Sequence, residues 1–123
     1  MAKNKILIVD DSELVLMMAR DALEEAGYKV FCAHNGLEAN GYIFSADRPD
    51  LIIMDVMLPM LEGNKKVKLL KEKDFISQIP ILLLSSKSED ELRRLTDESG
   101  ADGYISKPFS PAGIVTTVRN FLP

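Results

Sequence analysis

Among its 123 residues the chain has one cysteine, one histidine and no tryptophan. A lone thiol, Cys32, excludes an internal disulfide and fits a reducing compartment. A lone imidazole, His34, leaves a histidine-based metal site without ligands; it is read as a surface loop residue. No apolar run approaches the roughly 20 residues that span a bilayer. The opening Met1-Ala2-Lys3-Asn4-Lys5 precedes too short an apolar stretch to be a signal peptide. These absences predict a cytoplasmic protein with no membrane partner. Positive charge is also scarce: 15 Lys and Arg stand against 19 Asp and Glu, a net charge of -4. Phosphate contacts demand a basic surface, so nucleic-acid binding is disfavoured, whereas a bound cation would suit the balance. There is no repeat, linker or low-complexity segment. Residues 1–123 read as one domain, long enough to bury a core.

What the chain does have is short aliphatic runs that end in polar residues. Leu51-Ile52-Ile53-Met54 stops at Asp55, and Ile6-Leu7-Ile8-Val9 stops at Asp10-Asp11. Ile81-Leu82-Leu83-Leu84 runs into Ser85-Ser86. Runs without alternation are strands covered on both faces, as in a parallel sheet. Tyr28 to Ala33 and the short Gly103-Tyr104-Ile105-Ser106 complete five strands. Between them lie helical stretches. Leu14, Met17, Met18, Ala22 and Leu23 recur at helical spacing after a cap at Asp11 or Ser12, and Gly27 stops the helix. Asn35-Gly36 turns into a helix carrying Leu37, Ala39, Ile43 and Phe44, which Arg48-Pro49-Asp50 breaks. A lysine-rich helix follows Glu62-Gly63-Asn64, with Val67, Leu69 and Leu70 as its apolar positions and lysines 65, 66, 68, 71 and 73 as a solvated face. Ser88-x-x-Glu91 is a capping box opening a fourth helix that Gly100 stops. Ser110-Pro111 opens a fifth, running to about Leu122. Strand and helix alternate five times, which predicts an α/β, doubly wound parallel sheet with helices on both faces.

Parallel strands bring their carboxyl ends to one rim, where open α/β sheets bind ligands. That rim would collect Asp10, Asp11, Asp55, Ser85 and Lys107. Three crowded carboxylates repel, and without a partner at least one would hold its proton more tightly than usual. A hard divalent cation such as Mg²⁺, which prefers oxygen ligands, would relieve them. A lysine adds a compact positive charge able to touch phosphate or carboxylate. Such a set suits phosphoryl transfer, which depends on positioning and charge neutralisation.

Five motifs in order carry a resemblance: Ile6-Leu-Ile-Val-Asp10-Asp11; Met54-Asp55-Val-Met-Leu-Pro59 with Gly63; Pro80-Ile-Leu-Leu-Leu-Ser85-Ser86; Gly100-Ala-Asp-Gly-Tyr104; and Lys107-Pro108-Phe109. Across essentially its whole length the chain resembles a bacterial response-regulator receiver domain. The resemblance implies a flavodoxin-like fold of strand order 2-1-3-4-5 with five helices. It implies that Asp55 is the phosphoacceptor, attacking a phosphohistidine on a sensor histidine kinase or histidine phosphotransfer protein. Mg²⁺ would be held by Asp11, by Asp10 directly or through water, by Asp55 and by the Met57 carbonyl. Lys107 would contact the phosphoryl oxygens, and Ser85 would hydrogen-bond one of them. Tyr104 matches the family's switch aromatic, turning inward as Ser85 moves and reshaping the fourth helix, fifth strand and fifth helix for an output domain or effector. The Lys107-Pro108 bond would be cis. A homodimer through the fourth-helix face is a further family option.

Departures from the family pattern also matter. Serine replaces the commoner threonine at 85. Arg94 and Asp97 fall where relatives more often place apolar residues, so the fourth helix is expected to be rotated, loosely packed or specialised for a partner. Met57 and Lys87 flank the phosphorylation site, where they could gate attacking water. On this reading the chain is not an enzyme beyond Mg²⁺-dependent self-phosphorylation and autodephosphorylation. A phosphatase or phosphotransferase with an aspartate nucleophile would want a second acid two residues past Asp55, where Met57 stands. A flavodoxin-type cofactor binder would want a hydroxyl- or glycine-rich loop where Asp10-Asp11 stands. A phosphorylation-independent scaffold is the alternative, opposed by the complete set of acid-site residues.

Overall fold

The computed structural model describes residues 4–58, 62–73 and 76–123; Pro59, part of the second motif, lies outside the described residues. Five strands, β1 (Lys5–Val9), β2 (Lys29–Ala33), β3 (Leu51–Asp55), β4 (Ile81–Ser85) and β5 (Gly103–Ser106), alternate with five helices. The helices are α1 (Glu13–Glu25), α2 (Gly36–Ile43), α3 (Gly63–Lys71), α4 (Glu89–Ser99) and α5 (Pro111–Arg119). All strand pairs are parallel, in the order β2-β1-β3-β4-β5. The doubly wound fold is therefore the observed one.

β3 and β4 are buried at every residue, which explains their unbroken aliphatic sequences. Alternating side chains feed two cores. Ile6, Ile8, Leu51, Ile53, Leu82, Leu84 and Ile105 face Leu16, Leu23, Ile114 and Val118 of α1 and α5. Leu7, Val9, Ile52, Met54, Ile81 and Leu83 face Ile43, Val67, Leu70, Leu92 and Leu95 of α2, α3 and α4. Helix starts follow the sequence: Ser12, Asn35, Ser88 and Ser110 each accept a hydrogen bond from an amide in the first turn. Ser12, not Asp11, caps α1. Gly27 and Gly100 end α1 and α4 with φ of +102° and +79°, a region costly for other residues.

Several helix-face expectations are corrected. Leu14, Met17 and Met18 share helical spacing but lie exposed, because α1 packs through Leu16, Ala19, Ala22 and Leu23. Leu37 and Leu69 are likewise exposed, and Phe44 is the C-cap of α2 with its ring half in water. The α3 lysines are not uniformly solvated. Lys66 Nζ donates to Asn40 Oδ1 (2.7 Å), and burial holds its pKa below the usual lysine value. Lys71 donates to the Ile79 carbonyl (2.8 Å) and pairs with Asp102 (2.7 Å), tying α3 to the start of β5. The fourth helix is regular: Leu92 and Leu95 enter the core while Arg94 and Asp97 point to solvent. α5 ends at Arg119, short of Leu122.

Candidate functional site

Asp55 closes β3 and Asp10 follows β1, the neighbouring strand, so parallel pairing sets the two side by side. Both are withdrawn from water, at 2% and 0% exposure, whereas Asp11 is open to solvent. One ligand oxygen from each of Asp10, Asp11 and Asp55 lies within 4.8 Å of the other two. Lys107, just past β5, reaches back over the rim. Its Nζ is 2.7 Å from Asp10 Oδ2 and 3.5 Å from Asp55 Oδ2. The Lys107-Pro108 bond is cis, and the Lys107 amide donates to the Ser85 carbonyl (2.8 Å).

The remaining oxygens are held by backbone. Asp10 Oδ1 accepts from the Ser12 amide (2.9 Å), and Asp55 Oδ1 accepts from the Met57 amide (3.2 Å). Although Lys107 stands close to Asp10 Oδ2 as a charge, no hydrogen-bond donor is aligned with that buried oxygen. Burial first, then the charge of Asp10, pushes the Asp55 pKa up to about 6 from an ordinary 3.8, with the Met57 amide and Lys107 opposing and Asp11 adding. Among the described residues, one lysine for three carboxylates leaves the site short of positive charge. An all-oxygen donor set, a buried oxygen lacking a donor and surplus negative charge fit Mg²⁺. Asp10, Asp11 and Asp55 would hold it. The Met57 side chain is 62% exposed, so this residue could contribute only its backbone carbonyl.

Ser85 ends β4, fully buried, and its Oγ accepts from the Lys87 amide (3.0 Å). Strand alternation places it on a different side from the acids. Asp55 shares parity with Leu51 and Ile53 on the α1–α5 side, and Ser85 shares parity with Ile81 and Leu83 on the α4 side. Tyr104 packs on that same α4 side, half-buried, with its hydroxyl donating to Glu89 Oε1 (2.9 Å). Glu89 in turn pairs with Arg93 (3.2 Å). The structure thus gathers Asp10, Asp11, Asp55 and Lys107 in one cluster, sets Ser85 at its edge and places Tyr104 on the opposite side of the sheet.

Reading the sequence missed two contributions. The Ser12 amide orients Asp10, and Glu89 holds the Tyr104 hydroxyl; the second was accessible, because Tyr104 and α4 share a face by parity. His34 is also more than a loop residue. Its Nδ1 lies 3.0 Å from Glu38 Oε1 and its Nε2 contacts Glu13, bridging the starts of α2 and α1.

Against known proteins, residues 6–119 match the response regulator receiver domain family. The chain is 41% identical to the alkaline phosphatase synthesis transcriptional regulatory protein PhoP of Bacillus subtilis over 96% of its length, covering 48% of that protein. It is 36% identical to the polar-differentiation response regulator DivK of Brucella anthropi, over 95% of this chain and 94% of that one. The structure of the Vibrio cholerae chemotaxis response regulator CheY4 superposes with a TM-score of 0.90 at 33% identity, covering 98% of this chain and 99% of that one. With its parallel sheet and acid rim, this chain belongs to the response regulator receiver domain family. It spans about half the length of PhoP and nearly all of DivK.

Proposed function

We propose that the domain is a phosphorylation-controlled switch in which Asp55 accepts a phosphoryl group from the phosphohistidine of a kinase or histidine phosphotransfer protein. The observation that carries this reading is the convergence of Asp10, Asp11 and Asp55 within 4.8 Å under a single lysine. A carboxylate oxygen of Asp55 attacks phosphorus, the P–N bond to the donor imidazole breaks, and the electron pair leaves with the ring. Bound Mg²⁺ would neutralise charge on the acids and on the phosphoryl oxygens. Lys107, already 3.5 Å from Asp55, moves from carboxylate to phosphoryl oxygen as negative charge shifts outward. The Met57 amide holds Asp55 Oδ1, leaving Oδ2 as the nucleophilic oxygen. Ser85, whose Oγ accepts from the Lys87 amide as its one hydrogen bond among the described residues, can turn its hydroxyl toward the new anion.

On the α4 side, movement of Ser85 opens room for the Tyr104 ring. The outward ring bonded to Glu89 is one state, and an inward ring would be the other, so phosphorylation shifts a population. The surface altered is α4–β5–α5, which an output domain or effector would read. Catalysis is confined to the domain's own phosphorylation and dephosphorylation.

Intact mass after incubation with acetyl phosphate, with and without Mg²⁺ and beside Asp55→Asn, tests the reading. One Mg²⁺-dependent phosphoryl adduct, absent from the variant, is the expected result. No adduct from any donor together with no Mg²⁺ binding would overturn it in favour of a phosphorylation-independent scaffold.

A further inference from the structure

Gly63 opens α3, eight positions past Asp55, in a place where no other residue fits. A Cβ built there would lie 1.8 Å from the Asp55 carbonyl oxygen, 2.7 Å from its carbonyl carbon and 3.0 Å from Met54 Cγ. Two of those three atoms are backbone and cannot swing aside. Its φ lies outside the left-handed region. Alanine would therefore be allowed by torsion and, on helix propensity alone, would strengthen α3. What excludes it is the backbone of one particular residue, Asp55. Gly63 is also tied back to the end of β3: its amide donates to the Val56 carbonyl (2.8 Å). The next residue, Met57, holds Asp55 Oδ1 through its amide.

Resting on the reading of Asp55 as phosphoacceptor, we propose that Gly63 is a positioning residue for phosphoryl transfer. By letting the first turn of α3 lie flush on the Asp55 carbonyl, it fixes the height of the carboxylate above the rim and the approach of the Met57 backbone. A methyl group at 63 must push Asp55 and the first turn of α3 apart, displacing the nucleophile and, with it, the Met57 backbone bonded to it. Gly103 provides the contrast. A Cβ there would meet only side-chain atoms, Leu82 Cδ2 at 3.2 Å and the Phe121 ring at 3.4 Å, which can give way.

The test compares the full chain with Gly63→Ala and Gly103→Ala. Phosphorylation by acetyl phosphate is followed by intact mass, Mg²⁺ affinity by calorimetry and folding by Tm. A displacement near 1 Å costs about a hundredfold in rate, the loss expected for Gly63→Ala, with weakened Mg²⁺ binding. Gly103→Ala should phosphorylate like the wild type even where its Tm falls as far. Gly63→Ala phosphorylating at the wild-type rate, or Gly103→Ala losing as much, would overturn the proposal. Should Gly63→Ala not fold, the wild-type chain is titrated with Mg²⁺ and followed by amide NMR. The Gly63 amide should then shift with the same midpoint as those of Asp55 and Met57, and a Gly63 amide that stays still would count against the role. A wild type that forms no adduct refutes the phosphoacceptor reading itself, a result distinct from the others.

Discussion

At the rim of the sheet, Asp10 and Asp55 are withdrawn from water and share Lys107, while on α4 the acids Glu89, Glu91 and Glu98 stand in or near solvent among Arg93, Arg94 and Lys87. Both regions are clusters of carboxylates beside cations at similar distances. Along α4 and the residues just before it, Glu89, Glu91 and Glu98 meet Lys87, Arg93 and Arg94 while Asp90 and Asp97 add further negative charge in solvent, and water screens the excess, so each pair contributes between zero and about 1 kcal/mol. At the rim three acids meet one base, and burial removes the screening. Neither ion-pair distance nor an excess of acids distinguishes the two; access to solvent does. Burial keeps the rim in a state that a cation can relieve, whereas water already screens the acid excess of α4.

The comparison is attacked most severely by removing the one cation from the rim. Lys107→Ala leaves the buried carboxylates without a counter-charge and should cost about 3 kcal/mol in metal-free urea denaturation. Mg²⁺ should recover most of that loss, yet phosphorylation should stay roughly a hundredfold slower. A variant as stable as wild type without metal would make the rim no different from α4.

Next in size is the effect of neutralising the nucleophile. The Asp55 pKa is about 6 in the fold against an ordinary 3.8, so the folded state binds the extra proton between those values. Stability contributed by that proton is present at low pH and lost as pH rises through about 6. Metal-free Asp55→Asn should therefore match wild type near pH 4 and exceed it at pH 7 by up to about 3 kcal/mol. Thermal unfolding across pH checks this, and a gap that does not widen with pH would contradict a crowded, desolvated site.

Smaller effects are expected on the exposed side. Glu89→Gln weakens the hold on the Tyr104 hydroxyl and should change stability by less than about 1 kcal/mol. Fluorine NMR of a fluorotyrosine at 104 should nevertheless show a new ring environment, and an unchanged spectrum would deny Glu89 that hold. The smallest effect belongs to His34, whose pKa is raised by its hydrogen bond to Glu38 and then by that to Glu13. As the sole histidine its NMR titration is unambiguous. The midpoint should lie above 6.5 and fall toward it in Glu38→Gln and in Glu13→Gln. The stabilisation from the bridge is present below 6.5 and disappears as pH rises through the raised midpoint.

How far the sequence reached follows from the same physics. Leu51–Asp55 and Ile81–Ser85 were legible because strands buried on both faces must be aliphatic throughout. Asp10, Asp11, Asp55 and Lys107 were legible because parallel strands deliver their ends to one rim. Helix faces were less so. Leu14, Met17 and Met18 satisfy helical spacing as well as Leu16 and Leu23 do, and only the partner α5 decides which stripe is covered. Gly63 read as a turn residue and as part of the second motif, with no physical reason attached. Its reason is a clash with Asp55, and one-dimensional patterns carry no information about close approach.

Parity along the strands has one more consequence. Asp55 belongs to one face of the sheet and Ser85 with Tyr104 to the other, so a single layer of β-structure divides the molecule into two compartments. The sheet acts as a bulkhead: on the proposed reading, chemistry belongs to one room and shape change to the next, and the strand ends, where Ser85 stands beside the acids, join them. On the proposed reading, α4-side residues other than Ser85 would be exchangeable to suit a new reader while the acid compartment keeps its own contacts.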